Sequence, residues 1–399
     1  MRSLVLTSRP IKLLRHGYDL RVANLCSRMP GERHLVVVPL DKEDRRPPTI
    51  DPLTAFDTVE TLPPVFTGRK SWRRMARLSE DHFLERSFPD GFRHAHDRLS
   101  QIIRERGITH VIVFGSNLAE VGSSLRQPRT MLDVCDSVAL TLRRAHDSRL
   151  SERGPIGRFR ARMDLRRWRA TEGTLPRRFS IVTTINEADS HEIVALAGGR
   201  ASNVHTVPNG VAPGYLEPMP PVGRRRGVAF WGNLFFPPNA HALRHFMHDI
   251  YLPHLRDKGV EVFVAGDGGP EWLHAMATQD PNIKLAGFVD DLRSAATAYP
   301  VMVNPMTIGS GLKNKVLEAF GMGLCVVSTP LGMEAFPLAR EGIHCKVAER
   351  PGAFAQAVLA LLDDEPSRLA MRSAANRLLH EHYPWDVVGQ QWNALLARC

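Results

Sequence analysis

Short β-branched runs alternate along the whole chain with longer amphipathic stretches, and this alternation restricts the fold more than any other feature. Strand, helix and strand in turn is the pattern of a parallel sheet covered on both faces. In the first half HLVVVPL (34–40), HVIVFG (110–115), TMLDV (130–134) and SIVTTI (180–185) read as buried strands. The second half is clearer, with GVAFWG (227–232), VEVFVAG (260–266), IKLAGF (283–288), VMVNPM (301–306) and LCVVST (324–329). NAHALRHFMHDIYLPHLRDKG (239–259) reads as a helix, and the proline- and glycine-rich VPNGVAPGYLEPMPPVGRRRG (207–227) as a linker. At 399 residues the chain exceeds the ~250–300 at which one core stops growing, so two doubly wound α/β domains facing a cleft are expected. Ligands of open α/β sheets sit beyond the carboxyl ends of the strands, so the chemistry should lie just after them.

A composition of 43% hydrophobic and 24% charged residues excludes a disordered or collagen-like chain. No apolar run approaches the ~18 residues that span a bilayer, and the N-terminal stretch does not read as a secretory signal, so a cytoplasmic location is expected. Five scattered cysteines without a CxxC suggest neither a disulfide framework nor a zinc site, and the 17 histidines show no metal-binding spacing, so no metal is expected. The net charge of +10 is uneven: −3 from residue 227 onward and +13 before it. Residues 151–180 alone hold nine arginines against three acids. Such a segment attracts an anionic partner (membrane lipid, nucleic acid or a phosphorylated substrate) or is simply a solvated helix. Arg158, Arg162, Arg166 and Arg169 recur at helical spacing on one face, with Phe159, Met163 and Trp168 largely outside that row. Two readings stand for 158–169: an interfacial anchor at the inner face of the membrane, or a solvated helix. With 7% aromatics and no recognition-helix pattern, no specific nucleic acid is expected.

The most informative stretch is NPMTIGSGLKNKVLEAFGMGLCVVST (304–329), which reads strand, glycine-containing loop, helix, glycine stop, strand. Gly309 and Gly311 permit tight turning, and the helix from about Leu312 points its N–H groups and positive dipole end at a ligand. Lys313 and Lys315 add full charges beside that end, and Glu318 can accept hydrogen bonds from a ribose diol. Together they suggest a nucleoside diphosphate.

GSGLKNKVLEAFGMGLCVVSTPLGMEAF (309–336) resembles the donor-binding signature of the retaining family-four glycosyltransferases, whose fold is GT-B, two Rossmann-like domains. Glu318, Ala319, Gly323, Val326 and Val327 fall in register, while Ser310 replaces the first glutamate of the family's pair. The GxKNKxLEA variant is similar to sugar transferases of bacterial polysaccharide clusters. The resemblance implies domains at 1–212 and 227–376, a linker at 213–226, and a closing helix within 377–399 that returns to the N-terminal domain. It implies donor binding by Gly17, Gly232, Asn233, Gly266, Phe288, Val289, Gly309, Ser310, Gly311, Leu312, Lys313, Asn314 and Glu318. Phe288 and Val289 would pair the base through backbone groups, and Lys313, with Lys315 as the alternative, would replace a basic residue that Pro237 and Pro238 displace. Asp133 and Asp136 lie just beyond a strand, and Asp136 is either a helix cap or a carboxylate that positions or deprotonates the acceptor hydroxyl. The expected activity is metal-independent transfer of a sugar from a nucleotide donor to a glycan or lipid-linked acceptor, with retention, in polysaccharide or glycolipid assembly, and without a cofactor. Lys313 and Asp136 are the expected catalytic residues. A nucleotide-sugar epimerase or hydrolase, or a transferase acting on a small natural product, is the alternative.

Overall fold

The inner strands of both halves are apolar almost without interruption because both faces of each sheet are covered there. The computed structural model describes residues 1–11, 17–40, 55–66, 82–125, 129–147, 154–221 and 223–399. They form two units, Met1–Asn209 with Trp385–Cys399, and Gly210–Pro384.

The first unit has a seven-stranded sheet: β1 (Arg2–Thr7), β2 (Glu32–Val37), β3 (Thr58–Thr61), β4 (His110–Phe114), β5 (Thr130–Cys135), β6 (Ile181–Thr184) and β7 (Val204–Thr206). The order is β3-β2-β1-β4-β5-β6-β7, parallel throughout. Successive side chains go to opposite faces, so Leu4 and Leu6 join one apolar cluster and Val5 the other. Helices α1 (Gly17–Ser27), α2 (Phe83–Ser87), α3 (Pro89–Arg106), α4 (Ala119–Ser124), α5 (Val138–Asp147), α6 (Pro155–Arg178) and α7 (Glu187–Leu196) connect the strands.

The second unit has six parallel strands, β8 (Gly227–Trp231), β9 (Glu261–Ala265), β10 (Ile283–Gly287), β11 (Val301–Asn304), β12 (Cys325–Ser328) and β13 (Cys345–Val347), in the order β10-β9-β8-β11-β12-β13. Chain direction across the sheet reverses between β8 and β11, and this switch point fixes where a ligand crevice opens. Its helices are α8 (Pro237–His245), α9 (Glu271–Gln279), α10 (Leu292–Ala296), α11 (Asn314–Met322), α12 (Pro330–Met333), α13 (Pro351–Asp363) and α14 (Glu365–His382). The expected single helix over 239–259 is α8 continued by wide π-helical turns at Phe246–Leu255, with Pro253 inside them.

The boundaries differ from those expected. Of the segment expected as a linker, residues 213–221 are packed into the second unit: Arg293 donates to the carbonyls of Gly214, Glu217 and Pro218. A Cβ on Gly321 of α11 would lie 2.4 Å from the Tyr215 carbonyl oxygen. At the other end α14 stays in the second unit to His382, and the chain re-enters the first unit only at Trp385. There α15 (Trp385–Leu396) buries Trp385, Val388, Trp392 and Leu396 in the same cluster as Val5, Leu25 and Phe114. The Trp392 ring stacks on Phe114 at 5.8 Å.

Candidate functional site

Three glycines end the strands on one side of the switch point in the second unit. Gly232 follows β8 at φ +142°, Gly266 follows β9 at φ +135° and Gly287 ends β10 at φ +62°. Their backbones are laced together, Gly232 N–H donating to Ala265 O (3.0 Å) and Gly266 N–H to Gly287 O (2.7 Å). A Cβ on Gly266 would lie 2.1 Å from the Gly232 carbonyl oxygen, so no other residue fits. The sheet edge is therefore floored by bare backbone.

On the other side of the switch point, β11 ends at Asn304, whose amide donates to Ser328 Oγ and Gly332 O at 3.1 Å each. The following loop turns through Gly309 (φ +107°) and Gly311 (φ +75°) into α11. Lys313 is the residue before the first helical turn, and no side chain caps that end. Gly323 in the left-handed region stops the helix after nine residues. The helix thus presents an N-terminus beside the glycine floor, where its dipole favours an anion.

The two lysines differ. Lys313 Nζ turns back onto its own loop, donating to Ser310 O (2.5 Å) and Gly311 O (2.7 Å). Lys315 is buried under the floor, with Nζ donating to Asn239 Oδ1 at 2.8 Å and lying 4.5 Å from the centre of the Phe230 ring. A Cβ on Gly232 would come within 3.2 Å of that Nζ. The charge next to the β8 loop, expected from Lys313, is that of Lys315. Burial lowers the Lys315 pKa to about 7, Glu318 opposing this and Lys313 adding to it. One turn further on, Glu318 accepts a 2.6 Å bond from Trp231 Nε1. Burial raises its pKa, opposed by that bond and by Lys315. Asn239 ties the arrangement to the loop by donating from Nδ2 to Asn233 O at 2.9 Å. Trp231 and Asn239, the two ends of WGNLFFPPN (231–239), were not among the expected site residues. The only signal was their place, Trp231 at a strand's carboxyl end and Asn239 in the first turn of the following helix.

Of the other expected donor residues, Gly232, Gly266, Gly309, Ser310, Gly311, Leu312, Lys313 and Asn314 all lie on the loops after β8, β9 and β11 and at the start of α11. Asn233 is exposed, its Oδ1 accepting from Phe235 N–H at 2.8 Å. Phe288 is exposed just after β10, and Val289 packs partly against the apolar cluster.

In the first unit Gly17 opens α1. Asp133, expected to face a ligand, is fully buried in a bidentate pair with Arg21 (Nε–Oδ1 2.9 Å, Nη2–Oδ2 2.6 Å) and also accepts from Thr183 Oγ1 at 2.7 Å. The guanidinium donates its remaining bonds to Pro208 O (3.2 Å) and Asn209 Oδ1 (3.1 Å). This pair is a buried brace between strand ends, since removing either partner would strand a charge. The cap of α5 is Ser137, whose Oγ accepts from Leu140 N–H at 3.0 Å, so the capping role considered for Asp136 falls to its neighbour. Asp136 itself is exposed at the end of the loop. Glu172 of α6 accepts from Ser137 Oγ (2.5 Å) and Val138 N–H (2.8 Å), and burial raises its pKa to about 7.

Residues 225–364 match the model of the family described as glycosyl transferases group 1. The matched stretch lies within the second unit. It covers β8 through α13, including the glycine-bearing strand ends, Lys315 and Glu318. Among solved structures, Anabaena HepE in complex with UDP is 16% identical with a TM-score of 0.71, covering 100% of both chains. The same protein is also known with UDP-glucose. Sucrose-phosphate synthase from Thermosynechococcus elongatus is 13% identical at a TM-score of 0.67, covering 100% of this chain and 99% of that one. The lipopolysaccharide outer core galactosyltransferase WaaB is 11% identical at 0.61, with the same coverage. At these identities the likeness establishes the GT-B fold. No curated protein matches by sequence.

Proposed function

We propose that the chain is a glycosyltransferase that moves a sugar from a nucleoside-diphosphate donor to an acceptor hydroxyl. The observation that carries this reading is buried Lys315 and half-buried Glu318, one turn apart on α11, against the glycine floor of the second unit. The diphosphate would lie between the β8 loop and the α11 N-terminus, with Lys315 below it. Glu318, with one oxygen held by Trp231, would offer the other to the ribose hydroxyls. The base would pair with the backbone at Phe288 and Val289. Charge develops on the leaving diphosphate as the anomeric C–O bond breaks, and fixed donors at that point are commonly the largest catalytic contribution. Lys315 and the helix end provide such donors without a divalent cation. Retention follows if the acceptor oxygen attacks from the face the phosphate leaves, its proton passing to the departing phosphate oxygen. Asp136 is the proposed positioning carboxylate on the acceptor side. UDP is the first nucleotide to test, since the HepE structures hold UDP and UDP-glucose. A glycan or lipid-linked acceptor in bacterial polysaccharide assembly is favoured by the KNKxLEA sequence.

The test is calorimetric titration of UDP, GDP and dTDP, followed by nucleotide release from the matching sugar donors with and without a glycan acceptor pool. Micromolar binding of one nucleotide and acceptor-dependent release support the reading. Binding of none of them refutes it, and release that ignores acceptor would indicate a hydrolase.

A further inference from the structure

Helix α6 is long for its packing. Gly157, Ala161, Leu165 and Trp168 are half-buried along one side, and Glu172 and Leu175 are fully buried further on. The opposite side carries Ile156, Phe159 and Met163, spaced by three and four residues and therefore in one stripe. Their exposures are 72%, 66% and 40%, in a chain whose large apolar side chains are otherwise mostly buried. Exposed Arg158, Arg162, Arg166 and Arg169 flank the stripe on one side, and Arg160 flanks it on the other. Asp164 is the only acid on the exposed turns from Ile156 to Arg169. Trp168 does not join the stripe; its ring lies 5.1 Å under the Arg167 guanidinium. Among the described residues no helix is long and apolar enough to cross a membrane.

We infer that the outer face of α6 seats on an anionic lipid surface, with Ile156, Phe159 and Met163 in the acyl boundary and the flanking arginines on the headgroups. An apolar stripe bounded on both sides by arginine is what an in-plane helix requires, since the side chains sink while the guanidinium groups stay among phosphates. Charge chooses the occupant: basic residues near a membrane surface are attracted to anionic lipid, whereas a second copy of α6 would set arginine against arginine. The stripe is a separate contribution from the arginine row, and it sets how far binding survives salt. This inference stands independently of the proposed sugar transfer.

Co-sedimentation with vesicles of equimolar phosphatidylglycerol and phosphatidylcholine, against phosphatidylcholine alone, is the experiment. The wild-type chain should bind the anionic vesicles at physiological salt and not the neutral ones. I156S/F159S/M163S keeps every arginine and alters only exposed positions, so its melting temperature should be unchanged. Its vesicle affinity should fall about tenfold or more, with the remainder lost as salt rises. R158Q/R162Q/R166Q/R169Q should lose the preference for anionic lipid. Undiminished binding by the serine variant overturns the insertion, as does equal binding to neutral vesicles. If the wild type ignores vesicles and instead self-associates in sedimentation velocity through Phe159, the occupant is a second copy and the inference fails.

Discussion

Lys315 sits where its charge is costly, and that makes it a probe of the proposed diphosphate site. Its folded pKa of about 7 lies below the ordinary 10.5, chiefly through burial. Between those values the unfolded chain holds a proton that the folded chain does not, so this group's contribution to stability rises with pH across that window. A bound diphosphate favours the charged form and draws the proton back. UDP binding at about pH 8 should therefore take up a proton, read by calorimetry in buffers of different ionisation enthalpy, and affinity should weaken as pH rises above about 7. K315M should abolish the uptake. Lys313, already satisfied by its own loop, should give no such signal when changed to Met; an uptake that persists in K315M and vanishes in K313M would reverse the two roles. Glu318→Ala should cost about 1.5–3 kcal/mol in UDP binding, the usual worth of a charged hydrogen bond, in a variant that still folds although Trp231 Nε1 loses its acceptor. Equal affinity for UDP in the variant and the wild type would remove Glu318 from the site.

Among the elements, the glycine floor is the least tolerant. Gly266→Ala combines a left-handed φ with a 2.1 Å approach to the Gly232 carbonyl oxygen, so it should destabilise the second unit by about 2–4 kcal/mol in denaturant unfolding. A loss well under that would mean that β8 and β9 separate more easily than their lacing suggests. Most strands could be read from the sequence because parallel strands buried on both faces are nearly unbroken apolar runs. β1 is not evident from sequence although it pairs with both β2 and β4, because its apolar run is only Leu4–Leu6, between polar Arg2-Ser3 and Thr7-Ser8, and only its two partners reveal its central place. β3, β7 and β13 are three or four residues each and owe their form to pairing rather than to composition. The donor-side loops were legible through spacing, since strand, glycines and helix are local. Which lysine lies under the floor was not, because that depends on Asn239 and Phe230, more than seventy residues upstream. Asp133 misled for the same reason: its partner Arg21 is 112 positions away.

At the scale of the whole molecule, two separate cores predict two separable transitions. Saturating UDP, at about 100 times its dissociation constant, should stabilise by about 2.7 kcal/mol and raise one calorimetric transition while the other stays in place. Trp392→Ala should lower the other by about 3–5 kcal/mol, since it empties a fully buried indole site against Phe114. A single transition moved by both treatments would show that the units unfold as one. The return of the chain at Trp385 also orders events during synthesis. Residues 210–384 are made before α15, so the unit begun ahead of them must wait for that helix until they have been synthesised. Until then the surface around Phe114 and Leu25 lacks its cover, so the first unit stays exposed for as long as the second takes to make.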